Sequence, residues 1–323
     1  MKAKLITVVP VWNGAEFIAQ TLQSIADQTL KPDRVIVQDN FSTDNTEEVV
    51  RNFKGLECEW RQNGKNLLSF GNFNRGLEFA DQTEYLHLLC ADDLIKPDFY
   101  SRLTRELDSC PGLGLGYCLD ERIDENNKRL SISGKVTGVT EVQKVEDFLR
   151  EKAEISNQAF SASLLKTAYQ KPPVQFALDF IILGDIIFWA KWGQHCKRIV
   201  RIHEPLAQYR WHASNGTMDY APELKSLVLD EWEVMQIVER LRGAQPSFIR
   251  QFKLKGLFAV RSGIKAKRFR QIQKKDYSRQ IVEAAIRISG PLAWYMAQAV
   301  VEARDFAVYT LGNRKRHPKN VYG

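Results

Sequence analysis

The chain of 323 residues lacks any cysteine pattern that could build a framework. Its five cysteines, Cys58, Cys90, Cys110, Cys118 and Cys196, are odd in number; none forms a Cys-x-x-Cys pair, and no histidine lies near them at zinc spacing. A disulfide scaffold and a zinc ribbon are therefore excluded, and a reduced, cytoplasmic compartment is the simple expectation. No uncharged apolar run reaches the length of a spanning helix, and Pro10 and Asn13 interrupt the opening "MKAKLITVVPVW" before a secretory apolar region can form. A soluble or peripheral protein is expected. No Gly-x-Gly-x-x-Gly follows the first apolar run, which counts against an NAD site, and the absence of Gly-x-x-x-x-Gly-Lys-Ser/Thr rules out a P-loop. There is no internal repeat and no low-complexity segment.

What is present is an ordinary globular composition, 44% hydrophobic and 26% charged, with charge unevenly placed. Residues 250–323 hold 17 Lys and Arg against 4 Asp and Glu, a balance of +13, whereas the rest holds 29 against 35, a balance of −6. A basic appendage on a mildly acidic body points to a polyanion partner, a membrane with anionic lipid or a nucleic acid. We expect a body at residues 1–219 and a basic helical region at residues 220–323.

Within the body, β-branched runs alternate with helical spacing. "KLITVVPVW" reads as a strand, Phe17, Ile18, Leu22 and Ile25 as a helix, and "DRVIVQDN" as a second strand. Ser42 or Thr43 can then cap a helix with Glu47 and Glu48 in its first turn. "LECEWRQN", "GNFNRGLEFA" and "EYLHLLCA" continue the alternation, which argues an α/β domain with a mainly parallel sheet flanked by helices. Ligands of such sheets sit beyond the carboxyl ends of the strands. Three strand exits then compete for attention: Pro10 to Asn13, Asp39 to Ser42, and Cys90 to Asp93.

The last of these carries Asp92 and Asp93 side by side. Adjacent carboxylates repel each other, and burial of either without a partner is costly. Oxygen ligands at an open site suit Mg2+ or Mn2+, ions that keep waters and bind substrate phosphates; a solvated turn with Asp93 as helix cap is the plain alternative. Trp12 offers a ring for stacking, and Asn13, Asn40 and Ser42 offer polar groups, a set that suits a nucleobase and ribose.

In "VVPVWNGAEFIAQTLQSIADQTLKPDRVIVQDNFSTDNT" and "GNFNRGLEFADQTEYLHLLCADD" the chain resembles the family 2 inverting glycosyltransferases of the GT-A fold. The resemblance covers roughly residues 4–215 and implies a nucleotide-diphospho-sugar transferase fold, with a helical extension after it. By position it implies that Pro10, Trp12 and Asn13 hold the base, that Asp39 and Asn40 lie at the base side, that Asp92 is near the ribose and that Asp93 binds Mn2+ or Mg2+. Cys90 stands where the fullest form of the family's acidic motif has its first Asp. "YRWH" resembles the family's terminal motif, so His212 is expected to complete the metal shell and Arg210 to face phosphate.

The family's general base, usually the second of a Glu-Asp pair, maps to Asp185 in Gly184-Asp185, with Asp179 as fallback; an inverting transfer needs a group to take the acceptor proton. Trp189 and Trp192 read as core rather than as sugar platforms. The reaction implied is transfer from a nucleoside-diphosphate sugar to a glycan or lipid-linked acceptor, in cell-surface polysaccharide synthesis. The competing readings are a sugar nucleotidyltransferase, which would bring a Gly-rich loop with a basic residue, and a catalytically weak carbohydrate- or nucleotide-binding protein on the same fold. In the tail, "KLKGLFAVRSGIKAKRFRQIQKK" sets Lys and Arg between helically spaced apolar residues, which suits a helix on the anionic inner face of a membrane. Aromatics are not interleaved as stacking platforms, which argues against nucleic acid.

Overall fold

β1 (Ala3–Val11) is buried over its last seven residues, on both faces alike. Such a strand reads as a continuous apolar run rather than an alternation, because helices cover both sides of a parallel sheet. The computed structural model describes residues 2–153, 159–169, 173–180, 183–212, 228–243, 247–271 and 275–311. The chain divides into two compact units, Met1–Asp219 and Tyr220–Gly323.

In the first unit, β1 pairs in parallel with β2 (Arg34–Asp39) on one side and β4 (Thr83–Leu88) on the other, and β3 (Glu59–Gln62) extends the sheet beyond β2. The crossovers are α1 (Ile18–Ala26), α2 (Thr46–Asn52) and α3 (Leu68–Leu77). Ile18, Leu22 and Ile25 bury one stripe of α1, as their spacing requires. Strand order runs β3-β2-β1-β4, so the chain reverses direction across the sheet between β1 and β4, and a crevice opens at the carboxyl ends there. Register sets Val11 beside Asp39 and Val8 beside Leu88, which draws the three predicted strand exits together.

Beyond β4 the sheet is mixed. A two-residue strand β5 (Leu94–Ile95) follows the acidic exit, and then come α4 (Phe99–Asp108), β6 (Leu113–Asp124), β7 (Arg129–Ile132), β8 (Thr140–Lys144) and α5 (Val145–Ala153). β9 (Ser163–Lys166) joins β4 to β6 through antiparallel pairings on both sides. After α6 (Gly184–His195), the long β10 (Arg198–Trp211) lies parallel to β6 and returns along β5, with Ala207 opposite Ile95 and Gln208 opposite Leu94. Register along β10 shifts around Pro205, a residue with no amide hydrogen to give a ladder. That β5–β10 pairing carries the end of β10 back over the Asp92–Asp93 turn.

α2 departs from expectation at its start. Asn45 occupies the cap position, and neither Ser42 nor Thr43 caps the helix; the Ser42 hydroxyl is turned instead toward Asp39. Glu47 and Glu48 do occupy the first turn, where they suit the helix dipole.

The second unit comprises α7 (Asp230–Leu241), α8 (Phe248–Gln271), α9 (Lys275–Ser289) and α10 (Pro291–Leu311). Buried Glu231 on α7 accepts hydrogen bonds from Arg261 and Lys265 of α8, a compensated charge rather than an orphan. Burial opposes its ionised form, but the two cations hold its carboxyl below the ordinary value. Among the described residues no helix is long and apolar enough to cross a membrane.

Candidate active site

The acidic turn after β4 is clamped from several directions. The Thr21 hydroxyl on α1 is hydrogen-bonded to the carbonyls of Ala91 (2.8 Å) and Asp93 (3.0 Å). Asp93 is buried, and its oxygens accept from the Ser161 hydroxyl at 2.6 Å and the Arg210 amide at 2.9 Å. Burial pushes its carboxyl well above the ordinary value, and the neighbouring Asp92 charge pushes it further. Ser161 is fixed by a second line of contacts. The buried His87 ring donates from Nε2 to the Ser161 carbonyl at 2.9 Å and accepts at Nδ1 from the Tyr100 hydroxyl at 2.9 Å, which in turn meets the Thr7 hydroxyl at 2.6 Å. Burial pushes the His87 imidazole down to about 4, so it stays neutral in this chain of contacts.

Asp92 is more accessible, and its Oδ2 lies 3.0 Å from His212 Nε2. The imidazole also rests against Phe17, with ring centroids 4.6 Å apart. One ligand atom each from Cys90, Asp92 and Asp93 lies within 4.8 Å of the others. Carboxylate and imidazole donors fit Mn2+ or Mg2+, and a cation between the two carboxylates would relieve the repulsion that raises Asp93. Asp93 is buried with a protein donor on each oxygen, while Asp92 is the carboxylate that meets His212.

Arg210, expected to face phosphate, is held by groups of the protein. Its side chain is wholly buried, and Nε donates to the Asp92 carbonyl at 2.8 Å. NH1 reaches Asn127 at 2.7 Å, NH2 reaches Gln20 at 3.0 Å, and the guanidinium lies 4.7 Å from the Phe17 ring centre. A planar fork with five donors suits this work of tying β10 to the acidic turn.

At the other two exits, Pro10 is buried in β1 opposite Gln38. Asp39 is buried and accepts from the Ser42 amide and hydroxyl and from Gln62. Asn40 is not free to read a base. Its Nδ2 donates to Asn66 and the Leu68 carbonyl, its Oδ1 accepts from Asn63 and the Leu67 amide, and both of its amide ends are thereby used. Asn13 joins the two exits: its amide donates to Ser42 Oγ at 2.8 Å, and its Oδ1 accepts from the Thr43 amide at 2.8 Å. Among the polar side chains these loops expose stand three large apolar ones: Trp12 is 53% exposed, Phe41 46% and Leu68 60%.

Asp185 lies in the first turn of α6, where the Ile186 amide faces its carboxylate. Burial pushes its carboxyl up, against that amide and the charge of Lys152. Its charge also bears on Cys90, which puts it within electrostatic reach of the acidic turn. Gly184 has a steric reason: a Cβ there would come within 2.5 Å of the Phe70 ring, so the first carboxylate of a Glu-Asp pair has no room. The fallback, Asp179, is exposed in a turn. Trp189 and Trp192 are buried core, as their spacing predicts.

Sequence reasoning missed Ser161, His87, Tyr100 and Lys152, whose roles depend on partners far along the chain. A backbone signal marks the same region. The described non-glycine residues with positive φ are Asn13, Phe41, Leu68, Leu183 and Asn127. Two are at strand exits, one receives Asn40, one precedes Gly184-Asp185, and one receives Arg210; strain of this kind, about 1–3 kcal/mol each, clusters at functional sites.

The model of glycosyl transferase family 2 matches residues 7–167. Over 163 residues the chain is 31% identical to the GalNAc(5)-diNAcBac-PP-undecaprenol beta-1,3-glucosyltransferase of Campylobacter jejuni, a match covering 49% of this chain and 50% of that enzyme. The structure of S. aureus TarS 1-349 in complex with UDP-GlcNAc is similar with a TM-score of 0.66 and 18% identity, over 97% of this chain and 93% of that one. The mannosyltransferase PcManGT of Pyrobaculum calidifontis, in complex with GDP-Man and Mn2+, gives 0.55 and 16% over 96% and 82%. These structural likenesses establish a GT-A-like fold.

Proposed function

The chain belongs to glycosyl transferase family 2, and on that footing we propose that it is a metal-dependent inverting enzyme that moves a sugar from a nucleoside-diphosphate sugar to a hydroxyl of a glycan or lipid-linked acceptor, in cell-surface polysaccharide synthesis. The observation that carries this reading is the meeting of Asp92 and His212 beside Cys90 and Asp93, within electrostatic reach of Asp185. Asp92 and His212, backed by Asp93, would hold Mn2+ or Mg2+. When bound, the cation supplies charge neutralisation for the departing nucleoside diphosphate.

The residues of the chain do the rest. Trp12 offers a face to the base, and Phe41 is a second exposed ring at the neighbouring strand exit, while Asp39, Asn40 and Asn13 hold the loops that present them. Asp185 takes the acceptor proton as the hydroxyl attacks the anomeric carbon from the side opposite the leaving group. Residues 1–219 carry the transfer. Residues 220–323 dock on anionic lipid at the inner face of a membrane, a role supported by the basic charge of this region and by Leu292, Tyr295, Met296 and Val300, exposed along α10.

The donors to try first are UDP- and GDP-sugars, the compounds held by the TarS and PcManGT structures. The test is release of nucleoside diphosphate with and without Mn2+, for the wild type, Asp92→Ala and Asp185→Asn. The expected result is turnover that needs the cation and is lost in both variants. Turnover indifferent to Asp92→Ala would overturn the metal assignment.

A further inference from the structure

Lys152 on α5 has no exposed surface. Its Nζ lies 3.7 Å from the centre of the Trp189 ring, 5.1 Å from Phe148 and 5.4 Å from Tyr117. Three ring faces compensate part of the water that the ammonium has given up. They do not compensate all of it, because a buried full charge needs an opposite charge as well.

The geometry of α6 supplies one. Trp189 follows Asp185 by four residues, so both side chains leave the same face of the helix. An ammonium over the Trp189 ring therefore lies on the same side of α6 as Asp185, and each charge bears on the other. Among the described residues, the other charged and titratable groups that bear on this spot are Glu151 on α5, Tyr117 and Asp120 on β6, Arg201 on β10, and Cys90 in the turn after β4 on the Asp185 side. Glu151 is engaged by Tyr117, Gln143 and Arg201, and Asp120 accepts from the Ala159 amide. For Asp185, the charge that favours its ionised form is that of Lys152.

We propose that Lys152 is a positioning residue of the transfer, whose ammonium, caged by Trp189, Phe148 and Tyr117, keeps Asp185 ionised so that it can accept the proton of the acceptor hydroxyl. This rests on Asp185 being the base. In the step itself, the acceptor oxygen bonds to the anomeric carbon, and the bond from that carbon to the diphosphate oxygen breaks with its electron pair leaving on the diphosphate. The hydroxyl proton passes to Asp185 and later to water, and Lys152 keeps its own proton throughout. Burial pushes the Lys152 ammonium down to about 7, with Glu151 and Asp185 holding it up.

The test is the pH profile of kcat for wild type, Lys152→Met, Lys152→Arg and Asp185→Asn, with a thermal melt and a donor KM for each. Methionine fills the same apolar cage without the charge. Its acid limb is expected to move up by about one pH unit or more, lowering kcat at pH ~6.5 by about tenfold while leaving it within about threefold at pH ~9. Donor KM should hold, and arginine should keep the limb near that of the wild type. A folded methionine variant with the wild-type limb, or one depressed equally at every pH, would overturn the proposal; should methionine fail to fold, Lys152→Gln is read by the same criteria. An Asp185→Asn enzyme that still turns over would overturn the base assignment itself, whereas an inactive one beside an unshifted methionine variant would overturn the role of Lys152 alone.

Discussion

His212 Nε2 and Asp92 Oδ2 stand 3.0 Å apart although 120 positions separate them in the chain. The contact exists because β5, two residues long, pairs with β10 directly after the acidic turn. If the pair holds the cation, His212→Asn should weaken activation by Mn2+ by about ten- to a hundredfold, the usual cost of disturbing a metal's surroundings. A Mn2+ titration of nucleoside diphosphate release measures this. An unchanged half-saturation would reduce His212 to a packing partner of Phe17.

His87 should make the protein sensitive to acid. Its folded imidazole is pushed down to about 4 from 6.5. A group with a depressed folded value contributes stability that is present above the unfolded value and lost as pH falls toward the folded one. Melting at intervals from pH ~7 to ~4 should show a loss of roughly 3 kcal/mol from this residue. His87→Asn should be less stable at neutral pH but flatter across that window; a slope equal to that of the wild type would locate the acid sensitivity elsewhere.

Gly184 should resist substitution for a steric reason unrelated to helix propensity. Gly184→Ala brings a methyl against Phe70 and should cost about 1–3 kcal/mol by overpacking. Phe70→Leu in the same chain should recover part of it. Additive losses in the double variant, read by denaturant melts, would show that the ring is not the obstacle.

The lipid proposal separates charge from apolar surface. The protein should pellet with vesicles containing phosphatidylglycerol and be released by raised salt. Leu292→Asp with Met296→Asp, on the exposed side of α10, should weaken that partition at least about tenfold without altering the melt, since both side chains are exposed. Equal pelleting of the double variant would remove α10 from the account.

The parts of this molecule legible in the sequence are those that depend on neighbours in the chain. The continuous apolar run of β1, the stripe of α1 and the carboxylates at the exit of β4 follow from period and composition. Asn40 and Arg210 are held by the protein where a ligand is expected, for one shared reason. Each carries a side chain suited to a ligand, and whether it meets a ligand or the protein depends on residues such as Asn63, Leu67, Gln20 and Asn127, which no local pattern joins to them. Lys152 was invisible for a related reason: in "VEDFLREKAEI" it occupies one more polar position of an amphipathic helix, and only the approach of Trp189 turns that position inward.

The β5–β10 pairing also bears on inheritance. A fragment ended at Lys166, after β9, would keep Trp12, the amide network of Asn40 and the acidic turn, yet have neither Asp185 nor His212. On the proposed reading, the loops that meet the base and the acidic turn are thus encoded first, and the base Asp185 and the cation partner His212 afterwards, on α6 and just after β10. On that reading, exchange of the later segment between relatives would change acceptor and linkage while leaving the base-binding loops in place, provided the incoming strand still brings an arginine to the carbonyl of Asp92 and a histidine to its carboxylate.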